Sequence, residues 1–245
     1  MPHLPHIATY IVKHTRQLFD NTISLIFPRV CELCHTSLVA GEHILCLDCD
    51  MALPRANIHR SPDNRISQRL ARRIPDCRVA SWFYYDSGEE HRRLILDTKY
   101  RDRPELGRAL GEMFANEILA DGFFDNVDII LYIPMHALKF AWRGYNQSRY
   151  IADGVSRATG IPVGKHLHSP VYRPSQTRHS GAQRFANARG KFVTRRGSEL
   201  DGKHVLIVDD VITTGSTIVA AIDSLLDTCS PASVRVLSLG ITQQH

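Results

Sequence analysis

The 245-residue chain is 43% hydrophobic and 22% charged, which fits a globular protein with a real core, the size of one domain or of one domain with a small module. Its net charge of +5 suits a phosphate-bearing partner without demanding one. No stretch approaches an uncharged membrane span, and the N-terminus has no compact apolar run behind a basic start, so neither membrane insertion nor secretion is expected and the cytoplasm is.

Residues 1–28 are expected to form an N-terminal helix, with Ile7, Tyr10, Ile11, Leu18 and Ile23 at loosely helical spacing. Residues 29–50 hold four cysteines. Residues 51–75, "MALPRANIHRSPDNRISQRLARRIP", are polar and rich in arginine and proline, and read as a basic linker with one short helix. From Cys77 the pattern changes, and 76–245 is expected to be one domain. "VASWFYY" reads as a strand, half of it core. "ELGRALGEMFANEILADG" puts Leu106, Leu110, Met113, Phe114 and Ile118 on one helical face and stops at Gly122. "VDIILYIP" is a buried strand, and "NQSRYIADGVSRATG" a helix ending at Gly160. "KHVLIVDD" is a strand, "STIVAAIDSLLDTCSP" a helix and "SVRVLSLG" a closing strand. Strands alternating with helices of this length imply an α/β fold with a parallel sheet flanked by helices, preceded here by the small cysteine module.

In "CELCHTSLVAGEHILCLDC" two CxxC pairs, Cys31/Cys34 and Cys46/Cys49, are separated by eleven residues. Each CxxC turn sets two thiolates on one side of a tight loop, and two turns complete a tetrahedral zinc site. With every position filled by protein, such a zinc is structural and the module depends on it for folding. A redox role needs one pair beside a thioredoxin-like unit, which this short module does not offer. His35 and His43 are expected to be exposed.

"VLIVDDVITTGST", residues 205–217, is the most informative stretch. Val205, Leu206, Ile207 and Val208 show no alternation, the mark of a strand buried on both faces. Asp209 and Asp210 follow at the carboxyl end, where open α/β sheets bind ligands. The next helix carries Ile218, Ala221, Ile222, Leu225 and Leu226 on one face, so it packs back on the sheet and its N-terminus faces the same crevice. Backbone N–H groups of Thr213–Thr217 suit a phosphate, with hydroxyls from Thr213, Thr214, Ser216 and Thr217 and close approach at Gly215. No lysine is present, so this is not the GxxxxGK[ST] loop. The carboxylates would repel that phosphate, so they address sugar hydroxyls or a divalent cation.

This stretch resembles the PRPP-binding signature of type I phosphoribosyltransferases (PRPP is 5-phosphoribosyl 1-diphosphate). Together with "YIPMHALKFAWRGYNQSRYIA", "QTRHSGAQRFANARGKF" and the cysteine module, it makes nearly the whole chain similar to the ComF family. The resemblance implies a type I phosphoribosyltransferase-like domain behind a zinc module, and a role in natural competence and the use of incoming DNA. It assigns Asp209 and Asp210 to the ribose, as the catalytic-site acids, and Thr213, Thr214, Gly215, Ser216 and Thr217 to the 5′-phosphate, with magnesium accompanying PRPP. His136, Arg143, Asn146 and Gln147 fall in the place of the pyrophosphate loop. Arg178, Gln183, Arg184 and Asn187 fall in the hood over the site. Lys99–Tyr100 resembles a Lys-Tyr pair of the family, to which no role is given. Purine-salvage members carry an aspartate where this chain has Thr213, so the branch resembled is the orotate or amidophosphoribosyl one.

Three functions stay open at this point. One is a PRPP-binding competence factor that handles single-stranded DNA on the cytoplasmic side, with other competence proteins such as a DNA translocase or helicase as partners. Another is an active phosphoribosyltransferase, displacing pyrophosphate at the ribose C1 carbon. The last is a PRPP-responsive sensor without turnover.

Overall fold

In the computed structural model the described residues are 29–61, 64–75, 77–100, 103–170 and 190–243. The expected helix over 1–28 and the expected hood residues Arg178, Gln183, Arg184 and Asn187 lie outside them. The chain divides into two units, Met1–Ala52 and Leu53–His245.

Within the first unit, Val30 bridges Ser37, and Cys31 N and His35 N bond Thr36 O and Cys31 O at 2.9 Å, which closes a tight turn around the first cysteine pair. The second pair opens helix α1, Leu47–Ala52. Glu42 joins them: its carboxylate accepts from Val39 N at 2.9 Å and from Leu47 N at 2.7 Å. These bonds to backbone N–H groups hold the Glu42 carboxyl below its ordinary value.

The second unit is built on a five-stranded parallel sheet. In chain order its elements are α2 (Arg65–Ala71), β1 (Arg78–Tyr84), α3 (Glu89–Tyr100), α4 (Pro104–Glu117), β2 (Ile129–Tyr132), α5 (Ala137–Arg143), α6 (Gln147–Thr159), β3 (Val163–Gly164), the small antiparallel pair β4 (Leu167–His168) and β5 (Val193–Thr194), then β6 (His204–Ile212), α7 (Ser216–Leu226) and β7 (Ser233–Ile241). The strand order is β1-β7-β6-β2-β3, so β6 lies at the centre. Val205–Val208 are fully buried, as their unbroken apolar run requires. Val205 and Ile207 face a cluster with Ile66, Leu70, Ile218 and Ile222 from α2 and α7. Leu206 and Val208 alternate to the other face, where α6 packs on β6 and against α4. That helix pair meets at glycines: a Cβ on Gly154 would sit 2.0 Å from Arg108 O, and one on Gly111 2.3 Å from Ile151 O.

The fold class expected from the sequence is borne out, and three segments differ in detail. Residues 53–75 are not a free linker but part of the second unit. Their apolar residues, hidden among arginines in the sequence, are buried: Leu53, Ile58, Ile66, Leu70 and Ile74. Ala56 N bonds Trp82 O and Tyr84 N bonds Pro54 O, which lays this segment along β1, and Arg55 pairs with Glu117 at 2.9 Å. The short helix expected there is α2, capped by the Asn64 side chain accepting from Ser67 N at 2.8 Å. Helix α3 was not foreseen, and α5 occupies a segment expected as loop. Leu226, expected on the buried face of α7, is 38% exposed: it is the last residue of the helix, next to Leu225, which is fully buried and takes the core-facing position.

Candidate functional site

Strand β2 stops at Tyr132, opposite Val208, while β6 runs on to Ile212. Asp209 and Asp210 therefore extend past β2 although still in β6, which pairs Asp209 with Ser238 of β7. They lie within the strand, near its end rather than beyond it. Each is 7% exposed. Two adjacent carboxylates in such a place need partners.

The partners come from two helices. Lys99, in the last turn of α3, puts Nζ 2.7 Å from Asp210 Oδ2. Gln147, the first residue of α6, donates from Nε2 to the same oxygen at 2.9 Å. Ser148 Oγ donates to Asp209 Oδ1 at 3.1 Å. The two acids consequently differ. Burial, then the neighbouring Asp210 charge, pushes the Asp209 carboxyl up to about 7. Burial acts on Asp210 too, but the Lys99 ammonium and the Gln147 amide outweigh it and hold its carboxyl below the ordinary value. Burial pulls on the Lys99 ammonium in the same way, and the Asp210 carboxylate outweighs it, so Lys99 is raised.

These groups form one wall of a 590 Å³ cleft. His136, Arg143, Asn146 and Gln147, expected in the pyrophosphate loop, all line it, as do Asp209, Asp210 and Thr217. Their present contacts differ. His136 caps α5, its Nδ1 accepting from Leu138 N at 3.1 Å. Arg143 donates to Gln147 Oε1 at 2.5 Å, so Gln147 links the guanidinium to Asp210. Asn146 is 7% exposed and caps α6: its amide donates to Ile133 O at 3.0 Å and its oxygen accepts from Ser148 N at 3.1 Å. It fixes the corner that aims Gln147 and Ser148 at the aspartates.

The loop 213–217 turns at Gly215, φ 73°, directly before α7. The positive φ is one that glycine adopts freely. Thr214 Oγ1 donates to Ser216 Oγ at 3.1 Å and accepts from Ser216 N at 3.4 Å. Thr217 lines the cleft and accepts from Lys191 Nζ at 3.2 Å. Thr213, Thr214, Gly215 and Ser216 wrap the turn outside the cleft's lining.

Ser148, Lys191 and Trp142, which also lines the cleft, carry no sequence signal of a role; Lys99 carried only the unexplained Lys-Tyr resemblance. Leu138, Phe140 and Trp142 of α5 are 60%, 49% and 77% exposed, while Lys139 and Arg143 of the same helix are half-buried. The helix is thus amphipathic with its apolar side outward. Burial and the Arg143 charge lower Lys139.

In the first unit the sulfurs of Cys31, Cys34, Cys46 and Cys49 all lie within 4.8 Å of one another, and Cys34 Sγ and Cys46 Sγ are 3.6 Å apart. Tetrahedral zinc with bonds of about 2.3 Å places its sulfurs roughly 3.8 Å apart, so this donor set fits the metal. His35 and His43 stand outside the cluster and are exposed.

Comparison with known proteins matches residues 98–239 to the phosphoribosyl transferase domain. The DNA utilization protein YhgH of Shigella flexneri is 29% identical over 235 residues, covering 88% of this chain and 98% of that one. The bifunctional protein PyrR of Desulfosudis oleivorans is 31% identical over 116 residues, covering 46% of this chain and 58% of that one. Among solved structures, an allosteric regulatory enzyme of purine biosynthesis superposes with a TM-score of 0.40 at 23% identity, over 59% of this chain and 30% of that one.

Proposed function

Because this chain belongs to the phosphoribosyl transferase domain family, we propose that its cleft binds PRPP with magnesium and that the protein serves DNA utilization in the cytoplasm. One observation carries the reading: two buried carboxylates on the central strand stand beside a glycine turn that opens a helix. No core needs adjacent acids, and a ligand with hydroxyls next to a phosphate uses both halves.

Asp209 and Asp210 then take the ribose hydroxyls, in exchange for part of their present contacts with Ser148, Gln147 and Lys99. The turn 213–217 takes the 5′-phosphate on backbone N–H groups at the start of α7. His136, Arg143 and Gln147, with Lys99, meet the diphosphate, and Asn146 keeps their corner in shape. Bound magnesium would neutralise diphosphate charge, and the carboxylates at hand for it are Asp209 and Asp210. Zinc on Cys31, Cys34, Cys46 and Cys49 is structural, since protein fills all four positions.

The DNA half of the reading rests on the relative's name, DNA utilization protein, and on the chain's net charge of +5. Single-stranded DNA is the partner proposed, together with proteins of the same process. Its mark is affinity that falls steeply with salt; affinity indifferent to salt, or none, removes this half alone.

Transfer is the second reading, favoured by the cations Lys99, Lys139 and Arg143 along the cleft. An acceptor nucleophile would bond to the ribose C1 while the C1–O bond to diphosphate breaks, the cations taking up the leaving charge. Pyrophosphate release on offering an acceptor separates this reading from binding alone, the sensor reading.

The chain has two tryptophans, Trp82 buried and Trp142 77% exposed in the cleft lining. PRPP with magnesium should therefore change the Trp142 emission in a saturable way, and Trp142→Phe should abolish the signal. Emission unchanged at saturating PRPP argues against the site.

A further inference from the structure

Helix α2 comes from the segment whose sequence reads as a linker, yet it lies against the turn 213–217. Arg69 donates from Nη1 to Thr214 O at 2.8 Å. Ile66 Cδ1 would lie 3.8 Å from a Cβ on Gly215. Arg73, two residues beyond α2, pairs with Asp223 of α7 at 2.8 Å, so the segment of α2 is tied both to the turn and to the helix that the turn opens. Ile66, Ser67 and Leu70 are buried beneath it, which fixes the helix that carries Arg69.

The bond to Thr214 O has a consequence for the opposite edge of the same peptide. In a trans peptide the C=O and the next N–H point in opposite directions. A donor that holds the Thr214 carbonyl on the α2 side therefore holds the Gly215 N–H on the other. Without that donor the peptide is free to turn over, because glycine accepts φ of either sign; Gly215 here has φ 73°. Of the two orientations that a peptide before glycine can take, only the one held here shows this N–H to an anion on the side away from α2.

We infer that Arg69 is a positioning residue: its guanidinium pins the Thr214–Gly215 peptide in the orientation that presents the Gly215 N–H to a phosphate. The inference rests on the reading of 213–217 as the 5′-phosphate cradle. It gives the basic segment 53–75 a part in ligand binding through α2, although Arg69 does not line the cleft.

The test compares ribose 5-phosphate and inorganic pyrophosphate, by calorimetry, in the full-length zinc-loaded protein and its Arg69→Met and Arg69→Lys variants. Losing a charge-assisted hydrogen bond of this kind corresponds to a factor of about 10–100. Arg69→Met should weaken ribose 5-phosphate by that factor and leave pyrophosphate within about twofold, since a turned peptide affects one end of the site. Arg69→Lys, which keeps the charge and a donor, should recover part of the loss. If Arg69→Met does not fold, the same split between the two ligands is read from Arg69→Lys alone. Equal loss of both ligands marks a merely structural role and overturns the inference, as does unchanged ribose 5-phosphate affinity in a folded variant. Wild-type protein that binds pyrophosphate but neither ribose 5-phosphate nor PRPP overturns the cradle itself, and this inference with it.

Discussion

Asp209→Asn should make the protein more stable at pH 8 while removing PRPP binding. The Asp209 carboxyl is pushed up to about 7 by burial and by the Asp210 charge, from an ordinary 3.8. Its folded-state value thus exceeds its unfolded one, and the folded chain holds a proton that the unfolded chain releases. Stability therefore falls as pH rises from about 4 to about 7 and levels off above. The loss at pH 8 approaches about 4 kcal/mol, of which about 2–3 kcal/mol accrues between pH 5 and pH 8. Asparagine keeps the shape and an acceptor for Ser148 Oγ and Asp210 N, both of which bond Asp209 Oδ1, but has no charge to bury. Urea unfolding at pH 5 and pH 8, in magnesium-free buffer without chelator so that zinc is kept, measures both chains. The variant should gain on the wild type by about 2–3 kcal/mol more at pH 8 than at pH 5. Equal stability differences at the two pH values would refute the argument that Asp209 is strained by its ionisation.

Other substitutions probe the supports of the site. Lys99→Met removes the cation 2.7 Å from Asp210 and should cost about 3 kcal/mol at pH 8. Because the Asp210 carboxyl is lowered by Lys99, that stabilisation exists above the ordinary carboxyl value and fades as pH falls through the lowered one, so the deficit should shrink in acid; a deficit independent of pH would count against the pair. Gly154→Ala forces a Cβ to 2.0 Å from Arg108 O, and unfolding should show a loss of about 3 kcal/mol; a neutral variant would mean α4 and α6 pack less closely than described. Cys46→Ser removes one of the four clustered thiols. Zinc content should fall from one per chain and hydrogen-exchange protection should be lost across 29–52; unchanged zinc content would dissociate the cluster from the metal.

The sheet and its central strand were legible because strands buried on both faces leave unbroken apolar runs, as in Val205–Val208. The caps were legible too: Gly160 ends α6 with φ 75° where the sequence predicts a stop. The ComF-type resemblance, drawn from separate stretches, agrees with the YhgH relatives over 88% of the chain. Other features escaped for physical reasons. In α3, Leu94 and Ile95 are deeply buried while charged residues surround them, so no apolar face stands out. In α5 the apolar residues point outward, the reverse of the pattern that reveals a core-packed helix. In 53–75 the arginines masked buried Ile58, Ile66, Leu70 and Ile74, and a wall of the domain looked like a linker. The Lys99–Asp210 pair joins residues far apart in the chain, and no local spacing announces it. Asn146 shows the converse. The resemblance places it in the pyrophosphate loop, and the structure adds a part that no motif announces: its amide is engaged at the corner that orients Gln147 and Ser148.

Calorimetric titration of the zinc-loaded protein with PRPP in magnesium buffer tests the central claim most directly. The account predicts one site per chain, lost in the Asp209→Asn/Asp210→Asn double variant while that variant stays folded. No binding by the folded wild-type protein, or equal binding by the double variant, would contradict it.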